Sequence, residues 1–214
     1  MTPSDIIVEA RKLLQDTREP FRYSDVDLLG YFNQVLRRTL TVRPDLFTVV
    51  TDVPLVAGDV LQSLPADAHR LVDIYYVKGY NSVNEVERPV LERGRPQWVS
   101  DPAGIPLNFV RHARNPTKFF VYPRPSTAVE LVVEYVAVPP TYDLNDPVDA
   151  PGDAYSGALV DGVVFLASSI DDEHVNSGRA QLFQNSYLQA LGVDLQSRAV
   201  TDVENMNPTL AGEQ

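Results

Sequence analysis

The sequence predicts an α+β protein, in which helix pairs from the two ends of the chain form one helical bundle and an antiparallel β subdomain is inserted between them. Two observations support this fold class. Apolar residues recur at helical spacing up to residue 45 and again from 150 to 192, whereas their period is two from about 46 to 138. The predicted units are a bundle of residues 1–45 and 150–192, a β subdomain of residues 46–149, and an extended or disordered tail of residues 193–214.

The first two helices carry start and stop signals. Thr2 is placed as an N-cap before Pro3, which suits the first helical position. Ser24 is placed to cap a second helix, and Pro44 ends it. Three arginines lie near the carboxyl end of this second helix, where cations suit the helix dipole: Arg37, Arg38 and Arg43.

The middle of the chain predicts short strands, because β-branched and aromatic residues alternate there between turn formers. The predicted strands are residues 46–53, 60–64, 71–78, 85–91, 107–111, 118–122 and 129–138. Many of the 17 prolines of the chain lie in this region. Several strands are therefore expected to be edges, which are open to pairing with another chain.

Two further helices are predicted after an acidic loop. Residues 155–171 are apolar on most sides, so this helix is expected to be central, and residues 174–191 form the last helix before Gly192. Gly157 and Gly162 lie in or near the first of these two helices. Glycine weakens an exposed helix interior, and close helix packing would explain both positions.

The charge of the chain is concentrated at its end. The net charge is −11, and residues 143–214 hold 12 acidic against 2 basic residues, whereas residues 1–142 hold 17 against 16. Such a surface repels phosphate, so specific nucleic-acid binding is disfavoured, although an acidic face suits DNA that must slide without sticking. The chain has no cysteine, no apolar run long enough for a membrane span and no signal-peptide pattern. We expect a protein made in the cytoplasm without membrane contact.

The sequence offers no motif for catalysis or for a cofactor. Nucleotide-binding glycine loops, the serine nucleophile motif and the zinc-protease motif are absent, and the three histidines lie tens of residues apart. The acidic residues between 143 and 153 do not follow the calcium-binding EF-hand pattern, and prolines stiffen this segment. We therefore expect a non-enzymatic protein with no metal and no cofactor.

Several segments, in their order along the chain, resemble the head-to-tail adaptor proteins of short-tailed bacteriophages. These segments are residues 6–14 and 25–40, LPADAHRLVD at 64–73, NPTKFFVYP at 115–123, VELVVEYVAVP at 129–139, ALVD at 158–161, SIDDE at 169–173 and Arg-Ala at 179–180. The resemblance covers nearly the whole chain up to Gly192.

The resemblance implies a structural protein of the virion, located at the head–tail junction. It implies a ring of this chain, usually with twelve copies, in which the helical bundle docks on the portal protein and the β part meets the tail nozzle protein. Genomic DNA would pass through the ring without specific binding. The tail at 193–214 would reach along the portal.

Residues for partner contact are predicted at three places. They are Arg37, Arg38 and Arg43 in the second helix, Trp98 and Phe109 in the β part, and Asn205, Met206, Asn207, Pro208 and Leu210 in the tail. Arginine and tryptophan are enriched at interface anchors. The arginines could equally cap a helix dipole, and Trp98 could belong to the core.

Three alternatives stay open at this point. The chain could serve another joint of the virion, as a neck, tail-tube or completion protein. It could be a virion-borne glycan hydrolase that uses a carboxylate pair among Asp67, Asp73, Glu85 and Glu87. It could also be a cellular binding module.

Overall fold

The computed structural model describes residues 1–170 and 177–192, which form an α+β fold in two compact units. The helices are α1 (Pro3–Leu14), α2 (Asp25–Val42), α3 (Arg88–Gly94), α4 (Ser156–Ile170) and α5 (Ser177–Ala190). The strands are β1 (Thr48–Pro54), β2 (Leu61–Ser63), β3 (Ala68–Val77), β4 (Asn84–Glu85), β5 (Asn108–Arg111), β6 (Lys118–Tyr122) and β7 (Glu130–Ala137). The predicted α+β class with antiparallel sheets is confirmed. No helix in the described ranges is long and apolar enough to cross a membrane.

The helical unit contains Met1–Arg43 and the described residues from Pro140 onward. Helix α4 contacts α1, α2 and α5. Its side chains Leu159, Val163 and Val164 are fully buried. A helix that is apolar on most sides gains most from such a position, because each face can be covered by another helix.

The predicted helix starts are confirmed. The Thr2 hydroxyl accepts a hydrogen bond from the Asp5 amide at 3.3 Å, and the Asp5 carboxylate accepts one from the Thr2 amide at 2.8 Å. The Ser24 hydroxyl accepts a hydrogen bond from the Asp27 amide at 3.1 Å. Both caps satisfy amide groups that have no partner inside the helix.

The turn between α1 and α2 is held by a buried arginine. Arg11 donates to Asp16 at 2.6 Å, to Asp25 at 2.7 Å and to the carbonyl oxygen of Tyr23 at 2.8 Å. The side chains of Arg11 and Asp16 are both more than nine-tenths buried. Removal of either partner would leave a buried charge without compensation.

The two glycines of α4 have different surroundings. A Cβ atom at Gly162 would lie 2.7 Å from a methyl group of Val35, so close packing of α4 on α2 explains this glycine. A Cβ atom at Gly157 would meet nothing within 4 Å. The packing explanation that the sequence suggested for both positions therefore holds at Gly162 only.

The acidic segment before α4 packs on the helices. Asn33 of α2 donates to the Tyr142 carbonyl at 3.1 Å and accepts from the Tyr142 amide at 2.9 Å. The Ser4 amide donates to the Leu144 carbonyl at 2.9 Å. The sequence assigned residues 140–149 to the β subdomain, whereas the structure clusters Pro140 and the following residues with the helices. The hydrogen bonds of Asn33 produce no periodic pattern in the sequence, so they could not be used to predict this boundary.

The second unit, Pro44–Pro139, contains two sheets. The strand order is β1-β7-β3 in one and β2-β6-β5-β4 in the other. All pairs are antiparallel except β4 with β5, which are parallel. Side chains such as Val77, Phe109, Phe119 and Leu131 are fully buried and belong to one core cluster.

The predicted strand at 85–91 is wrong. Only Asn84–Glu85 is extended, and Arg88–Gly94 forms helix α3. Pro89 stands in the first turn of this helix, where its missing N–H costs nothing and its fixed φ suits the helix. The alternation of Val86, Val90 and Leu91 resembled a strand because three apolar residues are too few to separate the two periods.

Candidate interaction surfaces

The three predicted arginines of α2 make contacts within the helical unit. Arg43 donates to the carbonyl oxygen of Leu191 at the end of α5, where Gly192 adopts a positive φ of 72°. Arg37 donates to the Thr141 hydroxyl at 3.1 Å, and the Arg38 guanidinium lies 5.7 Å from the ring centroid of Phe165. Arg37 and Arg38 remain exposed, so their charges are still available at the surface.

A buried hydroxyl pair joins α2 to α5 next to these arginines. The hydroxyl groups of Thr39 and Tyr187 lie 2.9 Å apart, and both side chains are buried. Burial raises the pKa of Tyr187, which keeps the phenol protonated and able to donate. This contact links α5 to α2 beside the arginines.

Trp98 and Phe109 are core residues. Trp98 is 5% exposed and meets the ring of Phe120 edge-on, with 5.8 Å between the ring centroids. Phe109 is completely buried. The predicted contact of these two aromatic side chains with a partner is thus replaced by packing inside the β unit, because their large apolar surface is covered by the chain itself. Asn205, Met206, Asn207, Pro208 and Leu210 lie outside the described residues.

The outer edge of β3 is closed by other parts of the β unit. Arg111 donates to the carbonyl oxygens of Leu71 at 2.9 Å and Val72 at 2.5 Å. The Leu71 amide donates to the carbonyl oxygen of Pro116 at 2.9 Å, and the Tyr75 carbonyl accepts from the Val83 amide at 3.1 Å. These bonds satisfy main-chain groups that would otherwise be available to another strand.

The outer edge of β1 has no partner strand among the described residues, and it is called the open edge below. The Leu55 amide donates to the Val129 carbonyl, and the register of β1 with β7 continues this pairing, so that odd-numbered residues of β1 bond to β7. The N–H and C=O groups of Val50 and Asp52 therefore point away from the sheet. Within the described ranges, no residue bonds to these main-chain groups. Pro54 is also an even-numbered residue of β1, so its nitrogen lies on the same outer edge. Proline has no N–H to donate, and its absence is tolerated at an edge.

The solvent face of this sheet is crossed by exposed polar contacts. Lys78 contacts Asp52 of β1 at 2.5 Å and Glu130 of β7 at 3.0 Å, and these hydrogen bonds raise the pKa of Lys78. The Tyr75 hydroxyl donates to Glu134 at 2.5 Å, which raises the pKa of Tyr75. Exposed pairs of this kind contribute little to stability.

Three of the residues considered for chemistry, Glu85, Asp67 and His112, make structural contacts. Glu85 forms an ion pair with Arg111 at 2.7 Å, and Asp67 accepts from the Tyr135 hydroxyl at 3.3 Å. The Nδ1 atom of His112 accepts from the Asn115 amide at 3.0 Å, and the imidazole stacks on Phe120. In the part of the chain that the structure describes, no three His, Cys, Asp or Glu residues stand together as metal ligands would.

A comparison with protein families shows to which family the chain belongs. Residues 1–209 match the family described as SU10 adaptor protein. The chain belongs to this family. The match confirms the resemblance to phage head-to-tail adaptors and supports a structural role at the phage neck, in association with other components of the virion. None of the curated proteins compared with the chain matches it.

Sequence reasoning found only part of these surfaces. It predicted edge strands from the density of prolines but could not say which edge stays open. That depends on the pairing of β1 with β7 and on the position of Arg111, which are nonlocal contacts. It pointed to Arg37, Arg38 and Arg43 because they stand together at a helix end, and their contact with a partner stays a prediction.

Proposed function

We propose that this chain is a non-enzymatic head-to-tail adaptor that forms a ring, with twelve copies, between the portal protein and the tail nozzle protein. The helical unit binds the portal, and the β unit meets the nozzle. Genomic DNA passes through the ring without specific binding. Residues 193–214, which include Asn205–Leu210, reach along the portal, and exposed Arg37 and Arg38 contribute charge to the contact.

The open edge of β1 is the observation that carries this proposal. A ring requires each copy to bind its neighbour through a surface that the isolated copy leaves unfilled. The outward N–H and C=O groups of Val50 and Asp52 are such a surface, because an added strand would satisfy them. Val50 is 56% exposed and would be covered by the neighbour.

The charge distribution supports the channel. Ten of the eleven net negative charges lie in residues 143–214, which hold 12 acidic and 2 basic residues. Where acidic side chains border a passage, they repel the phosphate backbone and prevent tight binding of the DNA.

Mass determination tests the proposal directly. The purified protein is measured alone and after mixing with the portal protein of its source phage, and the mixture is imaged by negative-stain electron microscopy. We expect a defined ring at the tail-facing end of the portal. A protein that stays monomeric and ignores the portal would contradict the adaptor role and favour another joint of the neck or tail.

Truncation after Gly192 tests the role assigned to the tail. The described core ends at that residue, so the truncated protein should keep its melting temperature and its far-UV circular dichroism. Its binding to the portal should weaken. Unchanged incorporation into particles would remove residues 193–214 from the portal contact.

A further inference from the structure

A groove opens on the surface of the helical unit beside the start of α4. Its volume is about 990 Å³, which is large enough for a row of several apolar side chains. Its apolar lining includes Ile6 and Leu13 of α1, Gly157, Ala158 and Val160 of α4, and Ala190 of α5. Leu13 is 40% exposed, so apolar surface here is in contact with water. The groove is separate from the open edge of β1, which belongs to the β unit.

The floor of the groove allows a close approach. Gly157 is exposed, and the space beside it is open, since a Cβ atom there would meet no described atom within 4 Å. The internal packing that explains Gly162 is therefore absent at Gly157. A glycine in the floor of an open groove lets the backbone of a bound helix or strand come nearer than any larger residue would.

The rim of the groove is negatively charged. Four carboxylates line it, those of Asp5, Glu9, Asp153 and Asp161. Among the described residues that line the groove, the cations are the Lys12 ammonium, paired with Glu9 at 2.6 Å, and the Met1 amine, bonded to Asp153 at 2.8 Å. Next to this lining, Arg179 donates to the carbonyl oxygen of Leu13. The rim thus keeps a net negative charge after these pairs are formed.

The charge of the rim selects between possible occupants. Residues 193–214 of the chain hold four acidic residues and one basic residue, so the rim repels them. An apolar segment with flanking Lys or Arg residues has the complementary charge. In helix-in-groove recognition, an apolar stripe at helical spacing enters such a groove, and flanking charges set the orientation.

We propose that this groove binds an amphipathic helix of another virion protein, with its apolar stripe over Gly157 and its Lys or Arg side chains on the acidic rim. The location of the partner in the virion rests on the adaptor function proposed above. The groove itself does not, because its shape and charge belong to the isolated helical unit.

Photo-crosslinking in assembled particles tests the proposal. Leu13 is replaced by benzoylphenylalanine, which keeps the position apolar, and particles are assembled on this copy, irradiated and analysed by mass spectrometry. We expect a crosslink to a segment of a different virion protein that has apolar residues at helical spacing and flanking Lys or Arg. The same probe at Val26, which is exposed on α2 away from the groove, should not give this crosslink.

A matched pair of glycine variants shows whether the groove is occupied. Gly157→Leu fills the groove, whereas Gly30→Leu adds the same side chain on α2, where a Cβ atom also meets nothing within 4 Å. We expect Gly157→Leu to lower the Leu13 crosslink by roughly tenfold or more. Gly30→Leu should leave it unchanged, and both variants should melt like the parent protein.

The outcomes separate the groove from the adaptor role. A crosslink only to residues of this same chain, or no crosslink while the protein is present in particles, overturns the groove proposal and leaves the adaptor role intact. An equal crosslink in both glycine variants also overturns it. Absence of the unmodified protein from particles overturns both proposals.

Discussion

The two outer edges of the three-stranded sheet differ in their hydrogen bonding. The edge of β3 is filled by the guanidinium of Arg111 and by amides and carbonyls of neighbouring loops. The edge of β1 receives no hydrogen bond from any described residue at Val50 or Asp52. Exposed strand edges favour aggregation, and proteins usually protect them. Among the described residues, the chain therefore covers one edge of this sheet and provides no partner strand for the other.

A proline at an odd-numbered position of β1 should cause the largest loss of stability, because these positions bond to β7. Thr51 bonds to β7, so Thr51→Pro removes a ladder hydrogen bond and disturbs the sheet. We expect a loss of about 3 kcal/mol or more in the free energy of unfolding. Urea denaturation followed by circular dichroism measures it. A loss no larger than that of the neighbouring even position would show that the inferred pairing of β1 is incorrect.

Removal of the side chain that covers the edge of β3 should cause the second largest loss of stability. Arg111→Ala removes two hydrogen bonds to main-chain carbonyls of β3 and the ion pair with Glu85. We expect a loss of about 1–3 kcal/mol in stability and faster aggregation, because a second edge becomes available. The control is Arg70→Ala, which removes an exposed arginine that lies on β3 itself. Denaturant unfolding and light scattering measure the two effects, and equal behaviour of both variants would argue against a protective role of Arg111.

The sequence could predict the strands of this sheet but not the difference between its edges. The alternation of apolar residues in β6 and β7 is local, and the predicted bounds agree closely with Lys118–Tyr122 and Glu130–Ala137. The register of β1 on β7 and the reach of Arg111 to Leu71 join residues that are distant in sequence. For the same reason, Phe109 looked like an exposed anchor, although the fold buries it completely.

Proline at an even position of β1 should separate assembly from folding. Val50→Pro removes only an N–H that points away from the sheet, and Pro54 already occupies an equivalent position on this edge. We expect a stability cost on the order of 1 kcal/mol and loss of ring formation on the portal. Analytical ultracentrifugation and negative-stain imaging give the assembly state. Normal rings would exclude pairing through this edge.

Loss of the exposed ion pairs on the same sheet should have the smallest effect. Lys78→Gln removes the contacts with Asp52 and Glu130 but leaves every main-chain hydrogen bond of β1 in place. Hydrogen bonds to Asp52 and Glu130 raise the pKa of Lys78, so on the alkaline side its contribution is fully present up to the pKa of a free lysine and is lost as the pH rises through the raised pKa. Because these groups are exposed and screened by salt, we expect a melting temperature close to that of the parent protein between pH 6 and pH 9, measured by thermal denaturation at about 0.15 M salt. A large decrease would mean that side-chain pairing, rather than the main-chain ladder, holds β1 on β7, and the open edge would then be less rigid than an added strand requires.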